Sequence, residues 1–110
     1  MLTINTVHEN GHDILTLQGE VDASNSVMLD EAITNLVESG SKSILVDAKG
    51  LEYISSAGLG VFMSYLEDFQ EKEIDLKIYA LSERVLEVFN ILGLDQLMNL
   101  YQDKKSALSD

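Results

Sequence analysis

The alternation of apolar and polar residues near the N-terminus predicts a β-hairpin. Leu2, Ile4 and the Thr6–Val7 end form the first strand, and residues 14–21 form the second. The Asn10-Gly11 pair between them is a strong turn signal, because both residues tolerate the positive φ angles of a tight hairpin turn. The two strands are therefore expected to be antiparallel.

Three later segments carry apolar residues at the spacing of amphipathic helices. The first, DASNSVMLDEAITNLVESG, has Ser24 or Asn25 as its expected N-cap and Gly40 as its C-terminal glycine. The second starts at the serines that follow LEYI and runs about fifteen residues, ending near Glu71. The third is SERVLEVFNILG, with a serine N-cap and a terminal glycine. The expected buried face of the first helix comprises Met28, Leu29, Ala32, Ile33, Leu36 and Val37.

The remaining apolar runs are short and are expected to be strands. SILVDAKG reads as a strand covered on both faces, IDLKIYAL as another, DQLMNLY as a short final strand and DKKSALSD as a weak terminal helix. The resulting order β-β-α-β-α-β-α-β-α predicts parallel pairing after the hairpin. We therefore expect a small α/β fold, one domain spanning residues 1–110, with a mixed sheet and helices packed on it.

Composition narrows the classes of function. The chain has 110 residues, 45% of them hydrophobic, no cysteine and a net charge of −12. Such a charge repels nucleic-acid phosphates and anionic membranes, so neither is an expected partner. It either steers the protein towards a basic partner surface or serves only solubility. There is no membrane-spanning stretch and no signal peptide pattern, so a cytoplasmic location is expected.

The segment LEYISSAGLGVF is the only candidate for specific chemistry, and it does not match an enzyme motif. Its serines are not in Gly-x-Ser-x-Gly, it has no Walker lysine, and its GLG lacks the third glycine of a dinucleotide-binding turn. The only histidines, His8 and His12, lie in the hairpin beside Glu9 and Asp13, where a solvated turn is favoured over a metal site. We therefore assign no catalytic residue, no cofactor and no metal.

The two serines of this segment have different interpretations. Ser55 fits an N-cap that accepts from the backbone N–H of Ala57 or Gly58. Ser56 falls at the helix N-terminus, where unpaired N–H groups and the helix dipole favour an anion such as a phosphate. Gly58 and Gly60 each cost ~1 kcal/mol relative to alanine in a helix, so close packing or access must compensate.

A helical wheel separates the faces of this second helix. It places Gly58, Val61, Phe62, Tyr65, Leu66 and Phe69 on the core side. Leu59 and Met63 fall at the boundary between the core side and the solvent side. They are either ordinary core-edge packing or a partner-binding strip beside the serines.

Three segments of the chain together resemble the signature regions of the STAS-domain anti-sigma-factor antagonists (anti-anti-sigma factors). These segments are LTLQGEVDASNS, SILVDAKGLEYISSAGLGVF and SERVLEVFNILGLDQLM. The resemblance covers nearly the whole chain in the correct order. The family core reads Asp-Ser-(Ser/Thr/Ala)-Gly-Leu-Gly with its first serine phosphorylated, which implies Ser56 as the phosphoacceptor. Ser55 stands where many members have aspartate and is the alternative acceptor. Asp22 matches an acidic residue that lies near the phosphorylation site in the family.

The resemblance also implies a mechanism of transcription regulation by partner switching. The unphosphorylated antagonist would bind an anti-sigma factor that is also a GHKL-type serine kinase, and so release the sigma factor. Phosphorylation would end binding, and a serine phosphatase would restore it. The expected partner contacts are Asp22, Ser24, Ser55, Leu59 and Met63. The alternative is a structural STAS subunit of a transporter or of a larger signalling complex, without phosphorylation.

Overall fold

A computed structural model describes residues 1–109, and these form one mixed sheet with four helices. The elements follow the predicted order, with a single 3₁₀ turn added before the last strand. Their bounds are β1 Leu2–Glu9, β2 His12–Val21, α1 Ser26–Glu38, β3 Ser43–Ile54, α2 Ser56–Lys72, β4 Asp75–Tyr79, α3 Glu83–Ile91, the 3₁₀ turn Leu94–Gln96, β5 Asn99–Tyr101 and α4 Lys104–Ser109.

The sheet has the strand order β1-β2-β3-β4-β5. β1 pairs with β2 in antiparallel register from Leu2↔Gly19 to Glu9↔His12, which confirms the predicted hairpin. All later neighbours pair in parallel, as the strand–helix alternation predicted. Within residues 1–109, no helix is long and apolar enough to cross a membrane.

Helices α1, α2 and α3 share one main hydrophobic core with the sheet, and a smaller cluster includes α4. The main core contains fully buried side chains such as Leu15, Ile33, Phe62 and Phe89. The smaller cluster consists of Ile14, Leu45, Tyr79 and Ala107. Because successive strand residues point to opposite faces, Ile14 and Leu15 place these two cores on opposite sides of the sheet. Helices therefore cover one face, and α4 covers part of the other.

Four details differ from the sequence predictions. Met28 is 43% exposed, because it lies in the first turn of α1, outside the helix face that packs on the sheet. The buried residues of that face are Leu29, Ile33 and Leu36. β3 extends through the LEYI segment and spans 12 residues, because β2 continues alongside it. α2 is 17 residues long and ends at Lys72. The final strand covers only Asn99–Tyr101, since the residues before it form the 3₁₀ turn.

Candidate functional site

The ends of β2 and β3 meet at one corner of the sheet. β3 follows β2 through two register shifts as far as the pair Val21↔Ile54, whereas β4 pairs with β3 only as far as Asp47↔Tyr79. The Ser55 N–H then donates to the Val21 carbonyl oxygen at 2.8 Å. This bond joins the chain entering α2 to the end of β2, so it brings the Asp22 turn and the two serines to the same corner.

Asp22 organises the turn between β2 and α1. Its Oδ1 accepts from the Ser24 backbone N–H at 2.9 Å and from the Ser24 hydroxyl at 2.6 Å. The hydrogen bonds from Ser24 hold the pKa of the Asp22 carboxyl below its usual value, because they stabilise the charged form. Asp22 therefore forms the turn at the end of β2, which places a carboxylate and the exposed Ser24 at the site.

Asn25 precedes α1, but its side chain does not cap the helix. Its Oδ1 accepts from the Asp22 N–H at 2.9 Å, and its Nδ2 donates to the Glu20 carbonyl at 2.9 Å. The side chain therefore closes the loop back onto the end of β2. Of the two N-cap residues expected from sequence, Ser24 and Asn25, the structure has Asn25 at the N-cap position, without a side-chain capping bond.

Ser55 is the N-cap of α2, as predicted. It has an extended backbone, and its hydroxyl oxygen accepts from the Gly58 N–H at 3.3 Å. The Ser55 carbonyl accepts the first helical bond, from the Leu59 N–H at 3.0 Å. The Ser55 side chain therefore satisfies one of the otherwise unpaired donors at the start of the helix.

Ser56 is the first residue of α2, and its side chain is exposed. Within residues 1–109 its hydroxyl makes no hydrogen bond. The first turn of α2 carries no acidic residue, so the positive end of the helix dipole lies beside this hydroxyl without a neutralising carboxylate on the same turn. Among the same residues, neither Ser55 nor Ser56 is hydrogen-bonded to a histidine or carboxylate, which is the arrangement that activates a nucleophilic hydroxyl.

The two glycines of α2 have different surroundings. A Cβ on Gly58 would come within 2.6 Å of Val21 Cγ1 and 2.7 Å of Ile54 Cγ1, so Gly58 lets the helix start approach the strand ends closely. A Cβ on Gly60 would meet no atom of the described residues within 4 Å, apart from its own helix backbone, and this residue is exposed. Close packing therefore explains Gly58, and no contact among residues 1–109 explains Gly60.

Leu59 and Met63, which the helical wheel placed at the boundary, lie in different environments. Leu59 is only 2% exposed and belongs to the main core, which favours the core-packing alternative over the predicted partner contact. Met63 is 47% exposed, and its side chain is available to a partner.

Tyr65 fixes α2 against α1. Its hydroxyl is within hydrogen-bonding distance of Thr34 Oγ1 at 2.6 Å and donates to Asp30 Oδ1 at 2.5 Å. Burial and the bond to Asp30 raise the pKa of the Tyr65 phenol. Since Tyr65 lies on the same helix as Ser56, this contact holds the helix that presents the serine.

The amino-acid sequence matches a known protein family. The family model described as the STAS domain matches residues 3–107. The chain belongs to the STAS-domain anti-sigma-factor antagonist family. Among curated relatives of this STAS domain, the anti-sigma-B factor antagonist of Bacillus subtilis is 32% identical over 95 residues, covering 86% of this chain and 86% of the relative.

Solved structures show the same fold at lower identity. An anti-sigma factor antagonist from Mycobacterium paratuberculosis superposes with a TM-score of 0.87 at 22% identity, covering 99% of this chain and 92% of that one. The Bacillus cell fate determinant SpoIIAA, in its phosphorylated form, has a TM-score of 0.71 at 16% identity, with 99% and 97% coverage. The mixed sheet and helices described above are therefore a STAS fold.

Two features of the STAS domain were absent from the sequence interpretation. From the sequence, Asn25 is predicted only as a helix cap, although an amide three residues after a strand-end aspartate can also close a loop. Leu97, which is 64% exposed, was treated as part of a strand. It lies in a groove with Met63, and only the packing of α2 beside the chain that leads into β5 brings these two residues together.

Proposed function

We propose that this STAS domain is an anti-sigma-factor antagonist that binds an anti-sigma factor with serine-kinase activity, and that phosphorylation of Ser56 ends this binding. The observation that carries the proposal is the exposed, unbonded Ser56 hydroxyl at the start of α2, beside the Asp22 turn. The names of the relatives support the antagonist function, and the phosphorylated form of SpoIIAA supports phosphorylation as a control for this fold.

The electrostatics of the site explain how one phosphate would act. A phosphate adds about −1.5 to −2 charges near neutral pH. At Ser56 the positive end of α2 would stabilise this charge, so the domain would stay folded. The same phosphate adds bulk and charge next to the ionised Asp22, on a chain of net charge −12. It would therefore act on a docked partner through desolvation and repulsion.

The test uses the purified anti-sigma factor from the same genome, with ATP. We expect mass spectrometry to find phosphate on Ser56 of the wild type and none on Ser56→Ala. Ser55→Ala is the matched control, because it removes the neighbouring hydroxyl and leaves the acceptor in place. Phosphate on Ser55 of the wild type with Ser56 unmodified would reassign the acceptor.

Binding is measured by titration calorimetry. We expect the phosphorylated domain and Ser56→Glu to bind the anti-sigma factor at least about tenfold more weakly than the wild type. Equal affinity of the phosphorylated and unphosphorylated forms would contradict the switch. Stable incorporation of an unmodified domain into a transporter or larger complex would favour the alternative of a structural subunit. A serine phosphatase that restores binding would complete the cycle.

A further inference from the structure

The exposed side of α2 carries a stripe of residues that begins at Ser56. At about 100° per residue, a residue seven positions further along a helix returns to within about 20° of the same direction. Gly60, Met63, Glu67 and Gln70 therefore follow Ser56 down one side of the helix, and all five are exposed. Met63 lies about 10 Å along the helix axis from Ser56.

The lower part of this stripe forms one wall of a groove. Met63, Glu67 and Gln70 line it together with Leu97 on the opposite side, and its volume is about 680 Å³. Its floor is apolar and includes core residues such as Phe69, Ile74, Leu76 and Met98. Exposed leucine and methionine over an apolar floor are typical of a surface that a partner covers.

The charges of the groove select the kind of partner. Glu67 and Asp75 line it, and no lysine or arginine does among the described residues. The net charge of −12 for the whole chain opposes a second copy at this acidic surface. An apolar groove between carboxylates suits an amphipathic helix that inserts apolar side chains and places lysines or arginines along its edges.

Gly60 supplies an independent argument. It lies between Ser56 and Met63 on the stripe, and outside its own helix backbone no described residue approaches its Cβ position within 4 Å. An exposed helical glycine reduces stability by ~1 kcal/mol relative to alanine. A partner segment that packs directly against the helix backbone at this point would explain why no side chain is present.

We infer that the stripe and the groove form a docking surface for a basic amphipathic segment of the anti-sigma factor, continuous with the Ser56 switch. This inference rests on the proposed function. It places the apolar anchor of the complex at Met63 and Leu97, two helical turns from Ser56. Met63 and Leu97 supply the apolar contact area, and the phosphorylation state of Ser56 decides whether the complex forms.

The experiment measures binding of the unphosphorylated domain to the purified anti-sigma factor. Leu97→Ser removes the apolar anchor, and Leu108→Ser is its control, since Leu108 is an exposed leucine on α4. Glu67→Lys reverses a groove charge, and Glu38→Lys is its control at the exposed end of α1. We expect each groove variant to bind roughly tenfold more weakly, and each control to bind within about twofold of wild type.

Gly60→Ala provides a readout that a purely structural role would not give. We expect it to raise the melting temperature and still weaken binding, because the added methyl group lies between the helix and its partner. If the wild type binds and Leu97→Ser and Glu67→Lys bind equally well, the groove inference is overturned while the proposed function stands. If the wild type does not bind at all, both fail. Wild-type self-association that Leu97→Ser abolishes would assign the groove to a second copy and overturn the inference.

Discussion

Replacing each glycine of α2 by alanine tests how this helix is seated on the sheet. The two residues are two positions apart in one helix, so helix propensity acts in the same direction for both. Their surroundings are opposite. A Cβ at Gly58 would be 2.6 Å from Val21 Cγ1 and 2.7 Å from Ile54 Cγ1, and a Cβ at Gly60 would have no neighbour within 4 Å.

The structure gives the sign and the size of each effect. Overpacking a filled core costs about 1–3 kcal/mol, and the contacts at Gly58 involve branched side chains on paired strands that cannot rotate away cheaply. Because both contacts are shorter than 3.0 Å, the upper part of this range, about 2–3 kcal/mol, applies. Alanine recovers ~1 kcal/mol of helix propensity, so Gly58→Ala should lose about 1–2 kcal/mol of unfolding free energy. Gly60→Ala has no steric cost and should gain about 0.5–1 kcal/mol.

Urea titration and thermal unfolding measure both variants. For a domain of this size, ~1 kcal/mol corresponds to roughly 4 °C, so the two melting temperatures should differ by about 8 °C, with the wild type between them. Equal shifts in the same direction would refute the close approach of α2 to the strand ends at Gly58. Circular dichroism before unfolding checks that both variants keep the native helix content.

Three further changes test other parts of the fold. Glu73 follows the last residue of α2 with φ +57°, a left-handed conformation that glycine adopts without strain, as Gly40 does after α1 at φ +91°. Glu73→Gly should therefore raise the unfolding free energy by about 0.5–1 kcal/mol in urea titration. A loss of stability would contradict the left-handed conformation at Glu73. Ser55→Ala removes the cap and should cost ~1 kcal/mol in the same assay, and no change would contradict the bond to Gly58. Burial and the neighbouring Asp47 raise the pKa of Tyr79 to about 12, so the stability that Tyr79 contributes should be fully present below its unfolded pKa of about 10 and be lost as the pH rises from about 10 to about 12. Tyr79→Phe should flatten this fall in pH-dependent unfolding, and an unchanged profile would assign it to other groups.

Local patterns predicted most of the elements, because the determinants of each element lie within a few residues. The Asn10-Gly11 turn, the Ser55 cap and the end of α1 at Gly40 depend on backbone preferences and nearest-neighbour hydrogen bonds, and the structure confirms all three. Predictions of burial were less accurate where a residue's environment depends on the packing of another helix or strand. Met28 and Leu59 are apolar residues near the boundary of a helix face, and neighbouring packing made one exposed and the other buried.

At the candidate site, too, the sequence predicts the residues and only the structure shows how they are arranged. Resemblance predicts Ser56, Ser55 and Asp22 as site residues, but spacing along the chain does not show that they share a corner. The bond from the Ser55 N–H to the Val21 carbonyl joins them, because β2 and β3 run in parallel to a common end. Only the structure showed that Asn25 closes this loop and that Gly58 and Gly60 have different surroundings.

By itself, the sequence determined the order of strands and helices, the Ser55 cap of α2, the acidic surface and the resemblance to the family. Turn chemistry, apolar periodicity and charge are local or additive properties, so the linear chain is sufficient to determine them. The tertiary structure decided which apolar side chains remain exposed, why Gly58 must lack a side chain, and that Met63 and Leu97 line one groove. These properties depend on distances between residues far apart in the chain, and the packing of α2 and the 3₁₀ turn against the sheet sets those distances.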